Sequence, residues 1–171
     1  TVVLHELCHG LGFIGSANVA GNTGFIGQSG SPFVYDTFIN DNNSGGSILD
    51  INSATNALAD ALTGGGLVWA GASGLAATVS PPGIYAPGNW EPGASFSHLR
   101  EDMYLTGNIN ALMTPNLNTG EAIHNPGPIV MGMFSDIGWG VQGCSITAVL
   151  AGSQLPCNPE TNTYSQQLIL L

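Results

Sequence analysis

Basic side chains are nearly absent from this chain of 171 residues. Arg100 is its single lysine or arginine, against 11 aspartates and glutamates, and the formal net charge is −10 at pH 7. An acidic surface repels nucleic acid and anionic membranes, so neither is expected as a partner. The lack of lysine, together with 25 glycines and many Asn, Ser and Thr residues, is typical of a secreted or cell-surface extracellular protein.

Long apolar runs are also missing. No stretch of about 18 apolar residues occurs, so no membrane span is predicted. The length is sufficient for one domain with a sizeable core. The chain has no initial methionine and opens directly in a chemically distinctive motif. We therefore expect it to be part of a larger multidomain chain.

Cysteine is scarce, with 3 residues in all. Cys144 and Cys157 lie close in sequence and flank an apolar run, which predicts a disulfide bond between them in an oxidising compartment. Cys8 lies inside the opening motif. We interpret it as a small buried residue, the alternative being a bond to a segment upstream.

The opening motif holds two of the 4 histidines, in the run His5-Glu6-Leu7-Cys8-His9. On a helix, residues four apart lie on the same face, so both imidazoles can bind one Zn²⁺. Glu6 lies beside them and can accept a proton from a zinc-coordinated water without being a ligand itself. The H-E-x-x-H spacing therefore predicts a zinc hydrolase site, the alternative being a solvated helical turn.

Apolar residues flank this motif on both sides; they are Val2, Val3, Leu4, Leu11, Phe13 and Ile14. They predict a mostly buried helix over residues 1–12 that ends at Gly12. Buried imidazoles and a buried carboxylate are costly unless they are paired or bound to a metal. The surroundings of the motif therefore favour the metal interpretation over the solvated turn.

The third metal ligand decides the subclass of hydrolase. The short continuation H-E-x-x-H-x-x-G-x-x-H is matched by Gly12, but Gly15 occupies the position of its last histidine. A ligand must therefore come from elsewhere, and the remaining histidines are His98 and His124. The weaker alternatives are Glu91, Glu101 and Glu121.

His98 is favoured by the residues that follow it. Ser97-His98 is followed by the run Asn110-Ala111-Leu112-Met113-Thr114-Pro115 and then by a predicted helix that begins near Pro128. With the opening motif, these stretches resemble the leishmanolysin-like metzincins. In that family of zinc metalloproteases a long insertion separates the helix glycine from the third zinc histidine. Here the insertion runs over residues 15–96.

The resemblance implies a fold, an activity and a set of site residues. The fold is an α+β, metzincin-like zincin catalytic domain over residues 1–140, without the upstream sheet of such domains in this chain. The activity is that of a zinc endopeptidase, which hydrolyses a protein or peptide substrate through a metal-activated water. Glu6 would be the general base, and Met113 the Met-turn residue beneath the metal. The implied zinc ligands are His5, His9 and His98.

His124 has two interpretations. It precedes the predicted helix, in the stretch that borders the substrate pocket of such enzymes, so it is a candidate catalytic residue that donates a hydrogen bond to the substrate or oxyanion. The alternative is a polar residue that packs at the helix N-terminus.

Calcium is a second possible cofactor, because the chain is strongly acidic. The polar stretch Asn40–Gly46 contains Asp41 but lacks the carboxylate spacing of a calcium loop. We interpret it as an Asx-rich turn.

The insertion contains a few predicted elements, and Gly- and Asn-rich segments separate them. Phe33–Ile39 is predicted as a strand, Ala54–Leu62 as a helix capped by Ser53, and Leu67–Ala70 as a short strand. Pro81–Gly93 holds too many prolines for regular structure.

Beyond residue 140, alternating apolar residues and the cysteine pair predict the start of a C-terminal β module over residues 141–171. A non-enzymatic alternative also stands for the whole chain. It is an extracellular surface or structural protein on the same scaffold, in which the acidic insertion serves assembly or adhesion.

Overall fold

The structure is a computed structural model, and it describes residues 1–140 together with the backbone at 148–149 and 169–170. The chain divides into two compact units, Thr1–Val141 and Gln142–Leu171. No helix in the described residues is long and apolar enough to cross a membrane.

Residues 1–140 fold from short helices and strands. The four α-helices there are α1 Val2–Gly10, α2 Asn56–Thr63, α3 Ala72–Ala76 and α4 Gly127–Asp136. The strands are β1 Asn18–Ala20, β2 Thr23–Phe25, β3 Ile39–Asp41, β4 Gly46–Ser47 and β5 Leu67–Trp69. Three 3₁₀ helices cover Tyr35–Phe38, Ile48–Asp50 and Ala111–Met113. β1 pairs with β2, and β3 lies between β4 and β5, all antiparallel. An α+β fold is thereby confirmed for this part of the chain.

The core lies between the three-stranded sheet, α2, α4 and the loops around residues 84–99. Its largest fully buried side chains are Trp69, Tyr35, Phe13 and Phe96. Tyr35 contacts both Phe13 and Trp69 ring to ring, with centroids 5.4 and 5.1 Å apart. The aromatic cluster therefore connects the end of the α1 segment to the sheet.

Helix α1 is far more exposed than its apolar sequence predicts. Cys8 is buried, as interpreted, but Val2, Val3 and Leu7 are exposed by 60%, 73% and 56%. The prediction of a mostly buried helix is wrong, because α1 packs through one face only. Leu4 and Cys8 lie four residues apart on that face, and its contacts include the 3₁₀ helix Ala111–Met113.

The turn after α1 follows the prediction at Gly12. This residue has φ +106°, in the left-handed region that favours glycine, and a Cβ there would lie 3.2 Å from Ile137 Cδ1. The Phe13 amide donates back to the carbonyl of Cys8, with N and O 3.0 Å apart. The chain therefore reverses over one turn and carries Phe13 into the core.

The strand predicted over Phe33–Ile39 is wrong for most of its length. The Asp36 carboxylate is buried and accepts hydrogen bonds from the amides of Phe33 (2.7 Å) and Ser16 (2.9 Å). The bond from Phe33, three residues earlier, favours a turn over a strand ladder, and the bond from Ser16, 20 residues earlier, holds that turn in place. The segment therefore forms a 3₁₀ helix, and the strand begins only at Ile39.

Helix α2 begins two residues later than predicted. Thr55, not Ser53, is the cap, and its Oγ1 accepts a hydrogen bond from the Leu58 amide at 3.2 Å. The Ser53 Oγ instead accepts from the amide of Ile26. Ala54 lies between these two residues and has a positive φ of 60°, so the chain bends there before the helix begins.

The other element predictions agree more closely with the structure. The short strand predicted at Leu67–Ala70 is β5, and α4 contains Pro128 in its first turn. Residues 81–93 form no helix or extended strand, as their prolines predict.

Helices α3 and α4 pack closely through glycines. A Cβ at Gly132 of α4 would lie 2.5 Å from the backbone oxygen of Ser73 in α3. Asp136 at the end of α4 accepts hydrogen bonds from Trp69 Nε1 (2.8 Å) and from the amides of Ser73 (2.8 Å) and Gly74 (2.9 Å). One carboxylate therefore connects α4, α3 and β5.

The predicted C-terminal β module and the predicted bond between Cys144 and Cys157 lie outside the described residues. Two short strands are described there, β6 Ala148–Val149 and β7 Ile169–Leu170, and they pair antiparallel. The module and the disulfide bond stay predictions.

Candidate metal centre

The three histidines predicted as ligands lie together. His5 and His9 come from adjacent turns of α1, and His98 comes from a loop about 90 residues later in the chain. The Nε2 atom of His5 is 3.1 Å from those of His9 and His98, and the latter two are 3.3 Å apart. This trio is the only group of three or more His, Cys, Asp or Glu side chains at metal-binding distance among the described residues.

A backbone carbonyl holds the other ring nitrogen of each histidine. The Nδ1 atoms lie 2.7, 2.7 and 2.8 Å from their acceptors. In the order His5, His9 and His98, these acceptors are the carbonyl oxygens of Leu112, Phe13 and Ala94. A carbonyl can only accept, so each Nδ1 carries the proton. In the neutral rings each Nε2 is then an unprotonated lone-pair donor.

Three lone pairs that converge in this way form a donor set that could hold a metal ion. Unprotonated nitrogens repel one another at 3.1–3.3 Å and cannot form hydrogen bonds with one another. Ligands about 2.0–2.1 Å from a tetrahedral ion would be about 3.3–3.4 Å apart. The observed spacing therefore fits one ion bound by three imidazoles, with a fourth position open. Carbonyl acceptors on the far ring nitrogen are also the usual support of histidine ligands.

The protonation state of His98 favours this role. The side chain is 5% exposed. Burial lowers the pKa of His98 from its ordinary 6.5 to about 4; the hydrogen bond to Ala94 opposes this shift, and the nearby His9 and His5 add to it. The ring is therefore neutral at physiological pH, as a metal ligand must be.

The backbone around His98 is held on both sides. The His98 carbonyl accepts from the amide of Tyr85 (2.8 Å), and the amide of Leu99 donates to the carbonyl of Met113 (2.7 Å). Ser97 Oγ accepts from the amide of Gly15 at 3.1 Å. The residues on either side of His98 are therefore bonded to Gly15, in the segment after α1, and to Met113, in the 3₁₀ helix Ala111–Met113.

Gly15 packs against the loop that carries His98 and leaves no room for a side chain of its own. A Cβ at Gly15 would lie 2.1 Å from Cδ1 of Phe96 and 3.2 Å from Oδ1 of Asp36. Phe96 is fully buried and has φ 70°, a conformation that L residues rarely adopt. The bend at Phe96 presses its ring onto Gly15 and precedes His98 by two residues. The sequence shows only the missing histidine, not this packing.

Met113 is fully buried in the 3₁₀ helix Ala111–Met113. This helix contacts α1. Its main chain supplies the Leu112 carbonyl to His5 and the Met113 carbonyl to the residue after His98. The predicted Met-turn residue therefore lies in a turn that orients the His5 imidazole and holds the backbone next to His98.

Glu6 lies at the mouth of the trio. Its side chain is exposed and lines two cavities that histidines of the trio also border. One, of about 160 Å³, is bordered by His5, Thr114 and Pro115, and the other, of about 380 Å³, by His9 and Trp90. The Glu6 carboxylate is therefore accessible to solvent and borders the same cavities as His5 and His9.

His124 does not join the trio. It is exposed, and no hydrogen bond joins its side chain to another described residue. The neighbouring segment is fixed to α1, because Thr1 Oγ1 donates to the Glu121 carbonyl (3.1 Å) and accepts from the Ile123 amide (2.7 Å). His124 therefore lies close in sequence to one edge of the cleft, and its catalytic role stays a prediction.

The weaker ligand candidates have other partners. Glu91 accepts from the Tyr85 hydroxyl, Glu101 from the Asn116 amide and Glu121 from the Asn118 amide. None of them belongs to the metal-binding group found among the described residues.

The acidic turn offers no calcium cage in the described part of the chain. The Asp41 carboxylate accepts from the amides of Asn43 (3.0 Å) and Ser44 (3.1 Å). This is the geometry of an Asx turn. Calcium binding stays an untested expectation.

No family model, no curated protein and no solved structure matches this chain. The resemblance to leishmanolysin-like metzincins therefore stays a prediction based on the motifs. The geometry of the three histidines is an observation of the structure and does not depend on that resemblance.

Proposed function

We propose that the chain is a secreted, metzincin-like zinc endopeptidase. The observation that carries the proposal is the convergence of three Nε2 atoms at 3.1–3.3 Å, each with its Nδ1 directed to a backbone carbonyl. A set of three neutral imidazoles with an open fourth position is the ligand set of catalytic zinc. A closed structural site would use four protein ligands.

A zinc ion held by these histidines would act as a Lewis acid, which lowers the pKa of a bound water to about 7 and polarises the carbonyl group that the water attacks. The chain supplies the base. Glu6 follows the proposed ligand His5 directly and borders the cavities next to His5 and His9, so its carboxylate can accept the proton of the attacking water and return it to the leaving amine.

The two cavities suit a polymer substrate better than a small molecule. One is bordered by His5 and the other by His9, and Glu6 is common to both. An extended peptide that crosses the histidines would place residues on both sides of the scissile bond into cavities. This favours endopeptidase activity over hydrolysis of a small ester or amide.

The test is the pair Glu6→Gln and Glu101→Gln. We expect Glu6→Gln to retain zinc and to lose cleavage of a casein-type substrate by at least about 10²–10⁴-fold, the usual contribution of a general base. Glu101 is outside the site, so Glu101→Gln should retain the parent rate. Zinc content is measured by mass spectrometry and cleavage by peptide release, with and without chelator.

Parent-level cleavage by Glu6→Gln would contradict the role of Glu6. Bound zinc without cleavage in the full native protein would favour the non-enzymatic surface or structural alternative. Absence of stoichiometric zinc after reconstitution would contradict the metal centre itself.

A further inference from the structure

A third cavity, which is strongly polar, adjoins the cavity that Glu6 and His9 border. Its volume is about 400 Å³, within the roughly 300–1,000 Å³ of small-ligand sites. Trp90 lines both this cavity and the one that contains Glu6 and His9. We call it the Asn-lined cavity; its polar side chains are Asn22, Asn56, Asp60, Thr63 and Asn89.

Most of these polar groups have no partner in the described residues. Asn22, Asn56, Asn89 and Asp60 are exposed, and no hydrogen bond joins their side chains to another described residue. The Trp90 indole N–H is buried and is also without an acceptor there. Three free amides and one carboxylate therefore converge from β1–β2, α2 and the 88–90 loop onto one space.

The chemistry of this lining indicates a neutral ligand rich in hydroxyl groups. Each amide offers two donors and one acceptor atom, and the Asp60 carboxylate accepts only. Hydroxyl groups can satisfy both, since each donates one hydrogen bond and accepts others. Trp90 adds an indole, a large apolar surface of the kind that packs against the C–H face of a sugar ring.

Charge disfavours acidic ligands. Asp60 lies in the cavity lining, and the chain has a formal net charge of −10. Among the described residues that line this cavity, none is basic. A phosphate, sulfate or sialic acid would meet like charge without a compensating cation, so an anionic ligand is disfavoured. The three amides, which donate and accept hydrogen bonds, favour an uncharged hydroxylated ligand.

We propose that the Asn-lined cavity binds an uncharged sugar, and that this sugar is carried by the substrate. The first part stands on the cavity alone, while the second rests on the proposed peptidase function. Since Trp90 borders both spaces, a peptide in the cleft brings a glycan on a nearby residue into the Asn-lined cavity. The preferred substrate is then a glycoprotein with neutral glycans.

The binding experiment uses the zinc-loaded Glu6→Gln protein, which avoids turnover. Galactose, N-acetylgalactosamine and sialic acid are the probes, followed by saturation-transfer NMR and Trp fluorescence. We expect the neutral sugars to bind and sialic acid not to bind. Asn89→Ala should weaken neutral-sugar binding by about tenfold, and Asn42→Ala, at an exposed site outside the cavity, should leave it unchanged.

A filling variant provides a second test that does not depend on removing a contact. Gly88 lines the cavity, and a Cβ there meets no atom within 4 Å. Gly88→Gln should therefore fold normally and block the sugar, while Ala76→Gln, at an exposed position in α3, should not. Equal sugar binding by Gly88→Gln and the parent, or no binding of any neutral sugar, would overturn the proposal.

Cleavage then tests the substrate class, with one peptide prepared plain, with a neutral O-linked sugar, and with a sialylated sugar. We expect the neutral glycopeptide to be preferred by about tenfold in kcat/KM, and Gly88→Gln to abolish this preference. Equal cleavage of the plain and neutral forms contradicts the substrate claim. If no peptide is cleaved, the peptidase assignment fails, and the binding experiment still decides whether the cavity accepts a sugar.

Discussion

At the scale of single residues, the orientation of each imidazole depends on the hydrogen bond made by Nδ1, the ring nitrogen that points away from the site. All three Nδ1 atoms donate to main-chain oxygens, which leaves all three Nε2 atoms available as metal ligands. The sequence predicts His5, Glu6 and His9 because helical spacing is local. It predicts His98 only through the resemblance, since nothing local connects that residue to α1.

Gly15 is the residue whose substitution best tests this geometry. A methyl group there would lie 2.1 Å from the Phe96 ring and 3.2 Å from Asp36. Gly15→Ala must displace Phe96, which precedes His98 by two residues. We expect a loss of about 1–3 kcal/mol in unfolding free energy and weaker zinc binding, measured by denaturant unfolding and by competition with a chelator.

Gly10→Ala is the matched control, because a Cβ at Gly10 meets no atom within 4 Å and the residue ends α1. It should be neutral or slightly stabilising. If Gly15→Ala binds zinc as tightly as Gly10→Ala does, Phe96 packing does not position the third ligand.

At the scale of elements, the agreement between sequence and structure depends on whether the deciding contacts are local. Helix α4 and strand β5 agree with prediction because proline placement and β-branched residues act over a few positions. The 33–39 strand fails because Asp36 is 20 residues from Ser16 in the sequence, yet bonds to it. The prediction that α1 is mostly buried fails for a related reason, because apolar composition does not show which faces of a helix pack against other segments.

Asp136 is the contact on which the α3–α4 pair depends. Burial opposes its ionisation, but hydrogen bonds from Trp69, Gly74 and Ser73 outweigh this and leave the pKa of Asp136 below its usual value. In Asp136→Asn, an amide NH₂ would face N–H donors. We expect a loss of about 1–3 kcal/mol at pH 7 by thermal or denaturant unfolding.

The pH dependence of this loss has a definite sign. A carboxyl with a lowered folded pKa stabilises the fold above its unfolded pKa of about 3.9 and loses that contribution as the pH falls through the folded value. The difference between parent and Asp136→Asn should therefore shrink below about pH 4. Asp50→Asn, at an exposed carboxylate, is the control, and a similar loss there would contradict a specific role for Asp136.

At the scale of the whole molecule, zinc would connect segments that are 89 and 93 residues apart in the chain. A ligand that binds only the folded state stabilises it by about 2.7 kcal/mol at a hundredfold excess over Kd. We expect zinc to raise the Tm of the protein and a chelator to reverse the rise, as measured by scanning calorimetry.

His98→Ala should lose this zinc-dependent increment, and Mg²⁺ should not replace zinc, because imidazole is a poor ligand for it. An equal rise in the Tm of His98→Ala on zinc addition would show that the stabilising ion binds elsewhere in the chain.

The main-chain acceptors at Leu112, Phe13 and Ala94 affect how mutations can alter this candidate centre during evolution. A carboxylate partner can be deleted by one codon change, but a peptide oxygen persists whatever side chain stands at its position. Drift at these three sites therefore leaves the outer support of the imidazoles intact. Substitutions that change the path of the backbone, such as those at neighbouring glycines, are the ones that can alter these hydrogen bonds.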